Sequence, residues 1–240
     1  MYSDYPSLGT HIQEINLRDY LELGCGDGGF LKYVLDQNKS FKSITAVDIN
    51  SESIKKARTT LQTFKVFFIV QENLPLGLES DQFDTITLSN TLHHLRDKPS
   101  VLAELKRLIK PNGKIIITEM ITNNLTSAEQ SYCRYHALRA EVDRLHGVFH
   151  ETTYTSAEIQ RMVSESRLRI VKKAVLLNVK EAVLDTGEIS EMESKVNELI
   201  QSVSETPEYS SLDEKARSIK AHLHQYGIKR PRQLYLETTI

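Results

Sequence analysis

Apolar and polar positions over the first 120 residues fall into two alternating textures. Five short runs carry little polar interruption: "DYLELGC" from Asp19, "SITAVDI" from Ser43, "KVFFIVQ" from Lys65, "FDTITLSN" from Phe83 and "GKIIITEM" from Gly113. They are rich in β-branched and aromatic residues, as strands buried on both faces of a parallel sheet must be. Between them apolar residues recur at helical spacing, first at Phe30, Leu31, Val34 and Leu35, then at Ile54, Ala57 and Leu61, then at Val101, Leu102, Leu105, Leu108 and Ile109. Asn50 or Ser51 suits the cap of the second helix and Pro99 the first turn of the third, while "KPNG" at 110–113 supplies a stop before the fifth strand. Regular alternation of the two textures predicts a parallel α/β sheet.

The pattern changes after Met120. Residues 122 to about 166 are polar with helical period and end in a capping-box candidate, Thr155-x-x-Glu158. "RLRIVKKAVLLNV" from Arg167 reads as a sixth strand and "RQLYLETTI" from Arg232 as a seventh. Two amphipathic helices separate them, one marked by Ile189, Met192, Val196, Leu199 and Val203, the other by Leu212, Ala216, Ile219, Leu223 and Tyr226. The expected whole is a single domain over residues 1–240, with helical insertions at about 122–166 and 181–229 that read as lid or homodimer elements.

Composition narrows the function classes. Apolar residues make up 40%, charged residues 26%, and the formal net charge is −2, which indicates no nucleic-acid or membrane footprint. The basic residues of "YCRYHALRAEVDRLHGVFH" are interrupted by Glu141 and Asp143, so a solvated helix with internal ion pairs is expected there. No apolar run approaches the roughly 20 residues of a bilayer span, and "MYSDYPSLGT" lacks a basic, apolar leader; a cytoplasmic protein is the expectation. The two cysteines, Cys25 and Cys133, form neither a disulfide framework nor a CxxC pair, so no metal site is expected.

The chemistry-bearing stretch is "LELGCGDGGF", Leu21 to Phe30. Gly24, Gly26 and Gly29 fit a dinucleotide-binding turn, with Asp48 as the ribose partner 20 residues after Gly28. Glu22, Gly24, Gly26 and Gly28 fit the turn of a different cofactor. Glu22 discriminates between them. Its carboxylate repels a pyrophosphate but favours a ligand carrying an ammonium and a sulfonium, and Asp27 adds a second negative charge.

With "AVDIN", "ENLPL", "FDTITLSNTLHHL" and "IKPNGKIIITE" following in order, the stretch from residue 19 to about 120 resembles a class I S-adenosylmethionine-dependent methyltransferase. The resemblance implies a Rossmann-like α/β fold with a seven-stranded, mostly parallel sheet and flanking helices. It implies S-adenosylmethionine as cofactor, the turn of Gly24, Cys25, Gly26 and Gly28 against its methionine part, and Glu22 near its ammonium. Asp48 would accept from the ribose hydroxyls, Ile49 would pack on adenine, and Ser89 and Asn90 would help hold the amino-acid end. Relatives carry an aspartate shortly before the Leu-Pro pair to meet the adenine amino group; here Val70 stands at that place, leaving Gln71, Glu72 or Asn73 beside Leu74. His94 is a candidate cofactor neighbour, and His93, His94 and Tyr154 are candidate bases. The implied activity is methyl transfer to a small-molecule acceptor. A nicotinamide-dependent oxidoreductase and a non-catalytic cofactor-binding regulator are the alternatives.

Overall fold

A computed structural model describes residues 2–181 and 183–240. All seven predicted strands form, joined in one sheet of order β3-β2-β1-β4-β5-β7-β6. They are β1 (Arg18–Leu23), β2 (Phe41–Asp48), β3 (Phe67–Val70), β4 (Phe83–Ser89), β5 (Ile109–Met120), β6 (Arg169–Leu176) and β7 (Gln233–Thr239). The pairs β1·β2, β1·β4, β2·β3 and β4·β5 are parallel, and β6·β7 is antiparallel.

The chain resolves into two compact units, the first comprising 1–119, 157–176 and 233–240, the second 120–156 and 177–232. In the first, α2 (Gly29–Gln37), α3 (Ser51–Thr60) and α4 (Lys98–Leu108) carry the three apolar stripes read from the sequence, except that Val101 is only half-buried and Ile109, read as the end of the third stripe, opens β5 instead. Asn50 caps α3, its side chain accepting from the backbone N–H groups of Glu52 and Ser53, and Asp97 caps α4 just ahead of Pro99. An N-terminal helix, α1 (Pro6–Gln13), adds Leu8 and Ile12 to a core with Tyr20, Leu31, Val34, Leu35, Ile116 and Tyr235. "KPNG" behaves differently from expectation. The helix stops at Leu108, but the strand begins at once, passing through Pro111 and the left-handed Asn112 with an irregular register against Phe83 and Thr85. A bulge lets the edge of a strand carry a proline that an unbroken ladder would reject. α6 (Ser156–Glu165), which starts immediately after Thr155, also belongs to this unit from Ala157 onward.

In the second unit α5 (Ser127–Leu145), α7 (Thr186–Gln201) and α8 (Tyr209–Tyr226) share a core of Leu138, Val142, Ile189, Met192, Val196, Ile219 and Leu223. α5 opens with a capping box that the sequence reading overlooked, Thr126 with Glu129. Glu129 also accepts the backbone N–H of Arg232, and the N–H of Ile121 donates to the Arg232 carbonyl, so the C-terminal end of the 177–232 excursion is tied to the start of this unit. Within α5 Arg139 pairs with Asp143, the internal ion pair expected there, while Arg144 donates to the His150 carbonyl beyond the helix and Arg134 is exposed.

Candidate functional site

The chain runs outward from β1 to β2 and β3, then returns to place β4 on the other side of β1. Connections therefore diverge between β1 and β4, and in open α/β sheets that point opens a crevice at the carboxyl ends of the strands. The candidate residues sit at these ends. The turn after β1 is pinned to β2, since the N–H groups of Gly24 and Cys25 both donate to the Val47 carbonyl, at 2.8 and 3.0 Å. Gly24, Gly26 and Gly28 all have positive φ, at 73°, 53° and 81°. A Cβ on Gly24 would lie 2.5 Å from Cγ2 of Thr91, and one on Gly28 would lie 2.9 Å from Cδ1 of Leu61, so both positions are required by close packing. A Cβ on Gly26 would meet nothing within 4 Å. That glycine faces open space.

Asp48 stands at the end of β2. Its Oδ2 accepts the N–H of Gly26 at 2.8 Å and its Oδ1 the N–H of Asn50 at 2.9 Å, so one carboxylate links the glycine turn to the cap of α3. Further lone pairs on the same oxygens are there for ligand hydroxyls. Next to it Ile49 is 65% exposed, an apolar surface presented beside the turn. Glu22 is 1% exposed, and its Oε2 has no protein partner. Burial, and then the charges of Asp48 and Asp27, push its carboxyl well above the usual carboxylate range. Cys25 is buried and its thiol is likewise pushed up, first by burial and then by Glu22, which makes it a packing residue and not a nucleophile.

The loop after β3 is braced from two sides. Gln71 donates its side-chain amide to the carbonyls of Asn73 and Pro75, both at 2.9 Å. Glu104 of α4 accepts the N–H of Leu76 at 2.8 Å, and Arg107 reaches the Leu76 carbonyl. Gln71 is thereby occupied in the loop's own structure, whereas Glu72, Asn73 and Leu74 are exposed. After β4, Ser89 is buried and its hydroxyl accepts from Thr118 at 2.9 Å, while Asn90 adopts φ 50° with its N–H on the Thr118 carbonyl.

His93 and His94 lie in the 3-10 turn Leu92–His94. They differ in setting. His93 is buried with Nδ1 2.9 Å from Oε1 of Glu119, whose Oε2 accepts the Leu92 N–H; His94 is exposed, its ring 4.3 Å from that of His93. Glu119 was missed by sequence reasoning, although its position at the end of β5, beside β4, was the available signal. Tyr154 belongs to the second unit, where its hydroxyl donates to Glu151.

Residues 21–115 match a family model described as a methyltransferase domain. This chain carries a class I S-adenosylmethionine-dependent methyltransferase domain. The lovastatin nonaketide synthase mokA of Monascus pilosus is 35% identical over 118 residues, covering 45% of this chain and 4% of that protein. The chain spans only 3–5% of the length of the curated relatives it matches. Among solved structures, a cyclopropane-fatty-acyl-phospholipid synthase-like protein from Lactobacillus casei superposes with TM-score 0.69 at 16% identity, covering 99% of this chain and 90% of that one. An S-adenosylmethionine-dependent methyltransferase from Mesorhizobium loti superposes with TM-score 0.54 at 16% identity, covering 98% and 97%. These likenesses establish the fold. The methyltransferase-domain match also implies S-adenosylmethionine as the cofactor, in place of a nicotinamide dinucleotide.

The domain's own residues fit that cofactor. A buried carboxyl without a protein partner suits an ammonium, and the open face of Gly26 leaves room for a ligand to approach the backbone. No helix among the described residues is long and apolar enough to cross a membrane.

Proposed function

We propose that the domain methylates a small-molecule acceptor that loses a proton in the reaction, an enolisable carbon in the first instance. The observation that carries this reading is the His93–Glu119 pair, 2.9 Å apart and buried just beyond the end of β4. Glu119, as a carboxylate, can only accept. It therefore holds the proton on Nδ1 of His93 and directs the ring's basic lone pair to Nε2, the arrangement by which a carboxylate fixes the tautomer of a catalytic imidazole. The names of the curated relatives, polyketide synthases and their hybrids, describe enzymes that build polyketide chains, and such chains carry carbon acids between carbonyl groups.

Bound S-adenosylmethionine supplies a methyl carbon already activated by its sulfonium. The protein's share is alignment, exclusion of water and removal of the acceptor's proton. In this proposal Glu22, with the turn of Gly24, Cys25, Gly26 and Gly28, holds the methionine part. Asp48 accepts from the ribose, Ile49 covers the adenine, and Glu72 or Asn73 beside Leu74 meets its amino group. Ser89, Asn90 and His94 border the amino-acid end, and Nε2 of His93 takes the acceptor's proton. Tyr154, in the second unit, has no part in this proposal.

The test is transfer of isotope-labelled methyl from S-adenosylmethionine to a panel of 1,3-dicarbonyl compounds, phenols, amines and thiols. Dicarbonyl acceptors are expected to react, and both His93→Ala and Glu119→Gln to lower kcat by about 100-fold or more, the usual contribution of a general base. Cofactor affinity stays unchanged in both. Turnover confined to amines or thiols, or indifferent to His93, overturns the proposed base.

A further inference from the structure

Glu22 lies in the middle of the sheet, registered against Ala46 of β2 on one side and Thr87 of β4 on the other. Neither neighbour is a cation. The charges that act on it belong to Asp48 at the end of β2 and Asp27 in the turn, both negative. The other titratable groups close to it are Tyr20 on its own strand, whose hydroxyl bonds the Thr87 hydroxyl at 2.7 Å, and Cys25 in the turn; both are neutral at ordinary pH and both are pushed upward, first by burial and then by Glu22. A carboxylate 1% exposed, with an oxygen lacking any protein donor, is a poor resident of such a place. A carboxylic acid is a far better one.

We propose that Glu22 is protonated in the cofactor-free protein and gives up that proton to solvent as the cofactor's ammonium docks, so that loading of the site releases one proton. The inference rests on the cofactor-site reading given above. The exchange balances: a neutral carboxyl and an ammonium become a carboxylate–ammonium pair, and the proton leaves to buffer. No bond other than the O–H changes. The burial and like-charge repulsion that raise the acid's pKa in the free protein are opposed in the complex by a paired cation. The sign of the linkage follows. Between the lowered pKa of the complex and the raised pKa of the free protein, affinity climbs with pH by about tenfold per unit, and it levels off on either side.

The measurement is titration calorimetry at pH 6.5 with S-adenosylmethionine, whose own α-amino group titrates near ~8 and so stays charged. The titration is repeated in two buffers of different ionisation enthalpy. The proposal expects the apparent enthalpy to differ between buffers by about one proton's worth per cofactor bound. It also expects no difference for 5′-methylthioadenosine, which lacks the ammonium. Glu22→Gln reproduces the neutral form, keeps the fold, and should bind S-adenosylmethionine more weakly with the buffer difference gone. Saturable binding with identical enthalpies in both buffers overturns the coupling while leaving the cofactor site standing. Absence of saturable binding of S-adenosylmethionine overturns the site reading as well.

Discussion

Asp48 is where single-residue chemistry is most compressed. The same carboxylate proposed to hold the ribose also accepts the N–H groups of Gly26 and Asn50, joining the glycine turn to the cap of α3. Asp48→Asn should therefore injure two properties at once. Its amide nitrogen turns a donor toward one of those N–H groups, which costs about 1–3 kcal/mol of stability for the unsatisfied donor. It also weakens S-adenosylmethionine binding by about tenfold or more, one lost charge-assisted contact being worth at least 1.5 kcal/mol. Chemical denaturation and calorimetry on the same preparation check both; a lowered affinity with unchanged stability would confine Asp48 to the ligand. The residue types and their spacing were legible in the sequence, because Glu22, Gly24, Gly26, Gly28 and Asp48 fall at the ends of strands that the apolar pattern marks. Their partners were not. Whether Glu22 meets a donor, or Asp48 meets two, depends on turn dihedrals that neighbouring residues do not set locally. His93 and Glu119 are likewise 26 positions apart and meet only because β4 and β5 pair.

Elements position the site through their caps and braces. The loop from Gln71 to Gly77 carries the proposed adenine contacts and is anchored to α4 by Glu104, which accepts the Leu76 N–H while Arg107 holds the Glu104 carboxylate at 2.6 Å. The Arg107 guanidinium keeps the Glu104 carboxyl below the usual carboxylate range, against the opposing effect of burial. The stabilisation is therefore present at neutral pH and fades as pH falls through the lowered value, where Glu104 takes a proton. Glu104→Ala frees the loop without touching the reaction centre. It is expected to raise KM for S-adenosylmethionine several-fold, leave kcat within about twofold, and cost about 1–3 kcal/mol of stability through the unpaired Leu76 N–H. A fall in kcat with unchanged KM would show that the loop does other work. At this scale the sequence was most informative for β1 to β7 and for α2, α3, α4, α7 and α8, whose apolar periods are long enough to count. It was least informative for α1, two turns with only Leu8, Gly9 and Ile12 buried, and for the start of β5, where a proline and a left-handed asparagine masked a bulged strand.

The order of the chain constrains the whole molecule more tightly than any one contact. β7 is the last element in sequence, yet it lies between β5 and β6 in the sheet, so the first unit is completed only after the 177–232 excursion has been made. Parallel α/β order alone did not reveal this, since in "RQLYLETTI" Leu234 and Leu236 alternate with other residues in a way that suits an edge as well as an interior place. Within β7, Leu234 is 1% exposed and Tyr235 and Leu236 are fully buried. Tyr235 also donates to Glu237, which Lys114 pairs at 2.7 Å. Burying each of the three large side chains contributes roughly 1.5–3 kcal/mol, a total comparable with the ~5–15 kcal/mol that holds a typical domain together. Ending the chain after Arg232 removes all of it and exposes the facing edges of β5 and β6 to pairing with other chains. The truncated protein is expected to lose its cooperative thermal transition, to aggregate, and to bind no S-adenosylmethionine, even though every proposed cofactor contact precedes residue 95. Size-exclusion chromatography with a thermal melt decides it. A monodisperse product that melts sharply and binds cofactor normally would mean that residues 1–119 and 157–176 stand without their closing strand, and that the C-terminal return serves something other than the sheet.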